Sequence, residues 1–182
     1  MRVSGGEAKG RKLKGTIAPG ARPTTERARA AIFNILGPDR VSGARVLDLY
    51  AGSGSLGIEA LSRGAERTDF VERSREQCLV IQSNLDAIGF TSRARVHCRD
   101  VMQSLPRLEG SYNLVLMDPP YALLEVGEVL EGLAKAPGLL AEAAIVVVGH
   151  SRRLALQSNY GSLGQYSHRR YGDNVVDFFE RT

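Results

Sequence analysis

Apolar residues recur along this chain in two rhythms. After Pro23-Thr24-Thr25-Glu26, Ala28, Ala31, Ile32, Ile35 and Leu36 fall at helical spacing, and Gly37-Pro38 stops the run. Thr24 or Thr25 can cap this helix, and Glu26 suits the positive end of its dipole. From Arg45 onward, short apolar runs alternate with helical stretches. Strands are predicted at Val46–Tyr50, Thr68–Val71, Ala94–Cys98, Asn113–Met117 and Ala144–Val148. Helices are predicted after the first strand through Leu61, over Gln77–Ile88 and around Val126–Leu133. Strands separated by helices imply a mostly parallel sheet with right-handed crossovers. The tail changes rhythm: Gln165–Tyr171 and Val175–Glu180 flank Gly172-Asp173-Asn174, the signature of an antiparallel hairpin. The reading is an α/β, Rossmann-like doubly wound domain over 23–182. A basic extension, 1–22, precedes it, in which Val3, Leu13 and Ile17 can form a small hairpin.

Charge adds an asymmetry to this picture. Residues 1–29 carry a formal +6, and the remainder carries −2. Such a basic end suits a polyanionic partner, which makes Arg2, Lys9, Arg11, Lys12, Lys14 and Arg22 candidate RNA-phosphate contacts. The apolar stretch Ala143–Val148 is far too short to span a bilayer, and no apolar run follows the N-terminus as in a signal peptide. A cytoplasmic, monomeric protein without a membrane partner is expected. Cys78 and Cys98 lack metal or redox spacing and are expected to be reduced core thiols. His97, His150 and His168 show no ligand spacing, and no metal is expected.

The chemistry sits at the predicted strand ends. Gly52-Ser53-Gly54-Ser55-Leu56-Gly57 satisfies G-x-G-x-x-G between a strand and a helix, the setting of a nucleotide-like ligand. Alone, it fits a dinucleotide or S-adenosylmethionine. Asp48, just before the loop, separates them: it would repel a pyrophosphate and attract an ammonium or sulfonium. Glu72 ends the second strand and can accept hydrogen bonds from both ribose hydroxyls; Asp100 ends the third and can accept one from an adenine amine.

Asp118-Pro119-Pro120-Tyr121 follows the fourth strand directly. An exocyclic base amine is a poor nucleophile, because its lone pair is delocalised into the ring. It needs acceptors that orient its protons and aim the lone pair at the methyl group. Asp118 can supply one acceptor and a carbonyl of the rigid Pro119-Pro120 turn a second. Tyr121 offers a flat face on which an extruded base can stack.

Asp48-Leu49-Tyr50-Ala51-Gly52-Ser53-Gly54 together with Asp118-Pro119-Pro120-Tyr121 resembles the class I amino-methyltransferases. More narrowly, the chain is similar to the bacterial 16S ribosomal RNA guanine-N2 methyltransferase family. That likeness rests on Arg22-Pro23-Thr24-Thr25, Phe33-Asn34-Ile35-Leu36, the run Leu56 to Ala65, Phe70-Val71-Glu72 and Tyr171-Gly172-Asp173, and it spans nearly the whole chain. It implies a seven-stranded sheet, S-adenosylmethionine as donor and a guanine of small-subunit ribosomal RNA, in an assembling or assembled particle, as acceptor. Asp48, Ala51, Gly52, Ser53, Gly54, Glu72, Asp100 and Val101 then take cofactor positions, with Thr24 and Thr25 near the methionine end. Asp118, Pro119, Pro120 and Tyr121 take the catalytic ones. The chain departs from its relatives at Gly149, where an acid is common, and at Asn174-Val175-Val176. Competing readings are an adenine-N6 or glutamine-N5 methyltransferase, a dinucleotide oxidoreductase, and a non-catalytic RNA-binding protein on the same scaffold.

Overall fold

The computed structural model describes residues 1–15 and 26–182. Thr24, Thr25, Arg22, Pro23 and Ile17 lie outside the described residues. The α-helices and strands among the described residues are, in order, α1 (Glu26–Leu36), β1 (Arg45–Leu49), α2 (Ser55–Ser62), β2 (Arg67–Glu72), α3 (Arg75–Ile88), β3 (Ala94–Cys98), α4 (Val101–Ser104), β4 (Tyr112–Met117), α5 (Val126–Lys135), β5 (Leu140–Ser151), β6 (Asn159–Tyr160), β7 (Leu163–Tyr171) and β8 (Asn174–Arg181).

They build one sheet in the order β3-β2-β1-β4-β5-β8-β7-β6. Strands β1 to β5 pair in parallel, and β8, β7 and β6 continue the sheet antiparallel. The inner parallel strands β1, β4 and β5 carry near-continuous apolar runs because both faces are covered, whereas the edge strand β3 stays only partly buried. One face packs Val46, Leu114, Leu116, Val147 and Phe178 against Ile32, Phe33, Ile58, Leu61, Ile81 and Leu85 of α1, α2 and α3. The other packs Leu47, Leu49, Val115, Val146 and Phe179 against Val101 of α4 and Val126, Val129, Leu130 and Leu133 of α5. Strand order reverses between β1 and β4, so a ligand crevice opens at the carboxyl ends of these two strands.

Among the described residues the sheet has eight strands, where the family likeness implies seven. The addition, β6, is two residues long, pairs with Gly164 and Leu163, and seats Tyr160 edge-on against Phe179. Strand β5 begins earlier than its apolar run. Its register against β4 shifts between Tyr112 and Leu114, and Ala143 takes a left-handed φ of 54° in that irregular stretch. Cys78 is buried, whereas Cys98, expected in the core, is exposed at the end of β3.

The N-terminal segment does not stand apart. Arg2 bridges Lys12, and Val3, Ala8 and Leu13 are buried in the core on the α1–α3 side. Glu59 of α2 accepts hydrogen bonds from Ser4 N (2.8 Å) and Ser4 Oγ (2.7 Å) and pairs with Arg29 (3.2 Å) and Arg63 (2.8 Å). Both Arg29 and Glu59 side chains are fully buried. Asn84 of α3 binds Lys14 N and Lys14 O through its amide.

Candidate active site

The chain leaves β1 through Tyr50, whose left-handed φ of 58° is uncommon for a bulky side chain. Gly52 and Gly54 continue the turn at φ 55° and 79°. A Cβ on Gly57 would lie 2.4 Å from the Phe70 ring, so only glycine lets α2 settle this close to β2. The loop is held from outside as well: Asn84 Nδ2 donates to Ser53 O at 3.0 Å.

Asp48 lies within β1 and is almost wholly buried. Its Oδ2 accepts from Gly57 N at 2.8 Å, while Oδ1 has no hydrogen-bond partner among the described residues. Burial pushes this carboxyl well above the usual carboxylate range. The Gly57 N–H opposes that, and the nearby charges of Asp118 and Glu72 add to it. Three carboxylates from β1, β2 and the end of β4 therefore converge. A buried acceptor left unpaired among like charges calls for a cation. The residues thus fit S-adenosylmethionine, which carries an ammonium and a sulfonium, and misfit a pyrophosphate.

Glu72 ends β2 as expected. Its Oε2 accepts from Gly52 N (2.9 Å) and its Oε1 from Ser74 N (2.8 Å), so backbone donors fix the carboxylate while each oxygen keeps a lone pair for a hydroxyl. Asp100 does not end a strand. Strand β3 stops at Cys98, and Asp100 is instead the N-cap of α4, its Oδ1 facing Gln103 N at 3.4 Å. Val101, buried, opens that helix. Ala51 is buried behind the loop, and Ser53 is half-buried in it.

Asp118, Pro119, Pro120 and Tyr121 leave β4 beside this cradle. Asp118 and Tyr121 line a pocket with Ala28 and Ile32 of α1, Leu56 of α2 and Gly149, Asn174 and Val176 of β5 and β8. A Cβ on Gly149 would lie 2.7 Å from Asp118 Oδ1. The departure from an acid at Gly149 is therefore a close approach to the tetrad. Asn174 and Val176, the other departures, sit in the same wall.

The histidines serve as structural partners. His97 meets Asp69 at 3.3 Å. His150 and His168 meet the buried Asp177 at 2.8 and 2.6 Å, and Gln165 donates to it at 2.8 Å. Burial alone would raise the Asp177 carboxyl; the hydrogen bonds from His150 and His168 hold it below the usual range.

The N-terminal basic residues are exposed but partly engaged. Arg2 donates to Gly10 O, Arg11 to Ala87 O (2.5 Å) and Lys14 Nζ to Ser83 Oγ (3.1 Å). Lys9 and Lys12 are exposed. Two contributors escaped the sequence reading: Tyr50 and Asn84. Tyr50 was read as part of a strand, yet burial first, then Asp100 and Glu125, push its hydroxyl up to about 12. Nothing in a linear pattern signals a left-handed tyrosine, whereas the break from the family's acid at Gly149 was a readable flag.

A doubly wound sheet, a glycine turn at its switch point and converging acids beside an Asp-Pro-Pro-Tyr turn define an S-adenosylmethionine-dependent methyltransferase. The comparisons narrow this. The chain belongs to the family described as conserved hypothetical protein 95, whose model matches residues 1–180. It is 36% identical to YlbH of Bacillus subtilis over 184 residues, covering 100% of this chain and 99% of that one. It is 38% identical over 148 residues to Ribosomal RNA small subunit methyltransferase D of Escherichia coli, covering 81% of this chain and 73% of that one. The solved structure of yhhF from Escherichia coli superposes with a TM-score of 0.89 at 30% identity, covering 100% of this chain and 97% of the other.

Proposed function

We propose that this protein methylates the exocyclic N2 amine of a guanine in small-subunit ribosomal RNA, in the bacterial cytoplasm. The observation that carries this is the convergence of Asp48, Glu72 and Asp118 where the Asp118–Tyr121 turn meets the glycine loop. The Escherichia coli relative named for small-subunit ribosomal RNA supports the substrate class.

When bound, S-adenosylmethionine supplies an electrophilic methyl on a sulfonium. The chain's own residues do the rest. Glu72 would hold the ribose hydroxyls, and Asp48 Oδ1 would meet the donor's positive charge. Asp100, at the start of α4, would accept from the adenine amine. Asp118 accepts an N2–H hydrogen bond, and a Pro119 or Pro120 carbonyl accepts a second, which turns the amine lone pair toward the methyl. Tyr121 stacks on the base. Apolar Ala28, Ile32, Leu56 and Val176 exclude water around the tetrad.

The test is incubation with labelled donor and unmodified small subunits, followed by mass spectrometry of the RNA nucleosides. N2-methylguanosine is expected. Label confined to N6-methyladenosine, or to a protein glutamine, would move the acceptor assignment and leave the methyltransferase class intact.

A further inference from the structure

Resting on that reading of the substrate, the geometry points to an RNA track that leaves the catalytic pocket over Gly149 and crosses β8 to Arg169 and Tyr171 on β7. Residues in direct register across a sheet project from the same face. Gly149 pairs with Val176, and Val176 pairs with Arg169. Ser151 pairs with Asn174, and Asn174 with Tyr171. Gly149, Val176 and Asn174 all line the pocket that holds Asp118. Arg169 and Tyr171 thus continue, on the same face, a wall whose other end is the tetrad.

The row is open at its threshold. Gly149 places no side chain between Asp118 and Val176, and any Cβ there would collide with the Asp118 carboxylate. Beyond it, the surface is basic. Residues 150–174 hold Arg152, Arg153 and Arg169, besides Arg170 on the opposite face, against one acid, Asp173, and that acid is paired with Arg152 at 2.8 Å. Arg169 is exposed and donates only to the neighbouring His168 carbonyl, with no ion pair among the described residues. Its guanidinium is available to a phosphate, and Tyr171 is an exposed ring next to it.

Scale fits the chemistry. Three inter-strand steps of about 4.8 Å set Arg169 roughly 14 Å from the Asp118 column. That reach lies beyond the target nucleotide and onto its flank. We therefore assign Arg169 to a phosphate, and Tyr171 to a base, of the single-stranded RNA next to the methylated guanine. Arg170, the next residue on the strand, projects from the opposite face and serves as an internal control.

The experiment measures methylation kinetics and salt-dependent binding with unmodified small-subunit RNA for wild type, Arg169→Ala, Tyr171→Ala and Arg170→Ala. Arg169→Ala should raise KM several-fold and flatten the salt slope by about 0.7–0.9, one contact's worth. Tyr171→Ala should weaken RNA binding about tenfold without changing that slope. Donor affinity by calorimetry should stay unchanged in both, and Arg170→Ala should match wild type. Wild-type methylation of the RNA with Arg169→Ala and Arg170→Ala indistinguishable would overturn the track alone. A loss seen with protein-bearing particles and not with bare RNA would give the row to a protein contact and also overturn it. Wild type that methylates neither the RNA nor protein-bearing small subunits would overturn both the track and the substrate reading.

Discussion

Glu59 and Asp48 are both buried carboxylates at opposite ends of the same turn-helix unit, and their surroundings differ in every respect. Glu59 is saturated: Ser4, Arg29 and Arg63 occupy its oxygens. Burial alone would raise its carboxyl, but the Ser4 and Arg63 hydrogen bonds and the Arg29 charge hold it below the usual range. Asp48 keeps one oxygen unpartnered, faces two further acids and is pushed well upward. A satisfied buried charge anchors a fold, while an unsatisfied one is strain that a ligand can relieve. The contrast predicts that changes around Glu59 act on stability and that changes around Asp48 act on binding and turnover.

The largest effect should come from the anchor. Glu59→Gln leaves the Arg29 guanidinium buried without a counter-charge and should destabilise the protein by roughly 3–5 kcal/mol. For a chain of this size, each kcal/mol lowers Tm by about 2–4 °C. The N-terminal segment should loosen with it, because Ser4 loses its partner. Thermal unfolding followed by circular dichroism measures this, with donor affinity of the folded fraction expected unchanged. An unaltered Tm would erase the distinction between the two carboxylates.

Next in size is the tetrad. Asp118→Ala should lower kcat about a hundredfold, or 2.7 kcal/mol of barrier, with donor binding and Tm near wild type. Gly149→Ala should act through the same atom. Its new Cβ would lie 2.7 Å from Asp118 Oδ1, so the carboxylate must swing away. Because a misplacement of about 1 Å at a reacting centre can lower rates strongly, roughly tenfold in kcat is expected. In the double variant the glycine change should add nothing, since its target is gone. Additive losses in that cycle would show that Gly149 acts elsewhere.

These residues also show what a linear pattern can and cannot carry. Strands β1, β2 and β4 and helices α1 to α3 are legible because each holds an apolar run or stripe bounded by glycine, proline or charge, while β3 shows only through its alternation. Helix α4 spans four residues and β6 two, too short for any period, so Asp100 was read as a strand end when it is a helix cap. Asp48, Glu72 and Asp118 were legible as acids at strand ends, but which oxygen stays unpaired depends on where the Gly57 N–H arrives in space. The charge sum hides a local feature, because the −2 for everything after residue 29 averages over the arginines of 150–174. Arg11 and Lys14 of the basic N-terminus also reach α3.

The smallest effect, and the one that tests the contrast most directly, is the pH behaviour of Asp48. Its folded pKa is raised above the unfolded value, so the ligand-free fold gains stability from a protonated Asp48 at low pH. That gain is lost as pH rises through the folded pKa. Binding of a cation has the opposite sign, because it favours the ionised carboxylate. Donor affinity of the wild type should therefore fall as pH is lowered through the raised pKa, and binding there should release a proton. Calorimetry in two buffers of different ionisation enthalpy counts that proton. Asp48→Asn keeps the Gly57 hydrogen bond through its carbonyl and removes the charge. It should bind the donor several-fold more weakly and without that pH dependence. Its ligand-free Tm at neutral pH should equal or exceed that of the wild type, since a buried charge among like charges is gone. A marked drop in Tm would mean that Asp48 is an anchor like Glu59 and that the cradle stores no strain.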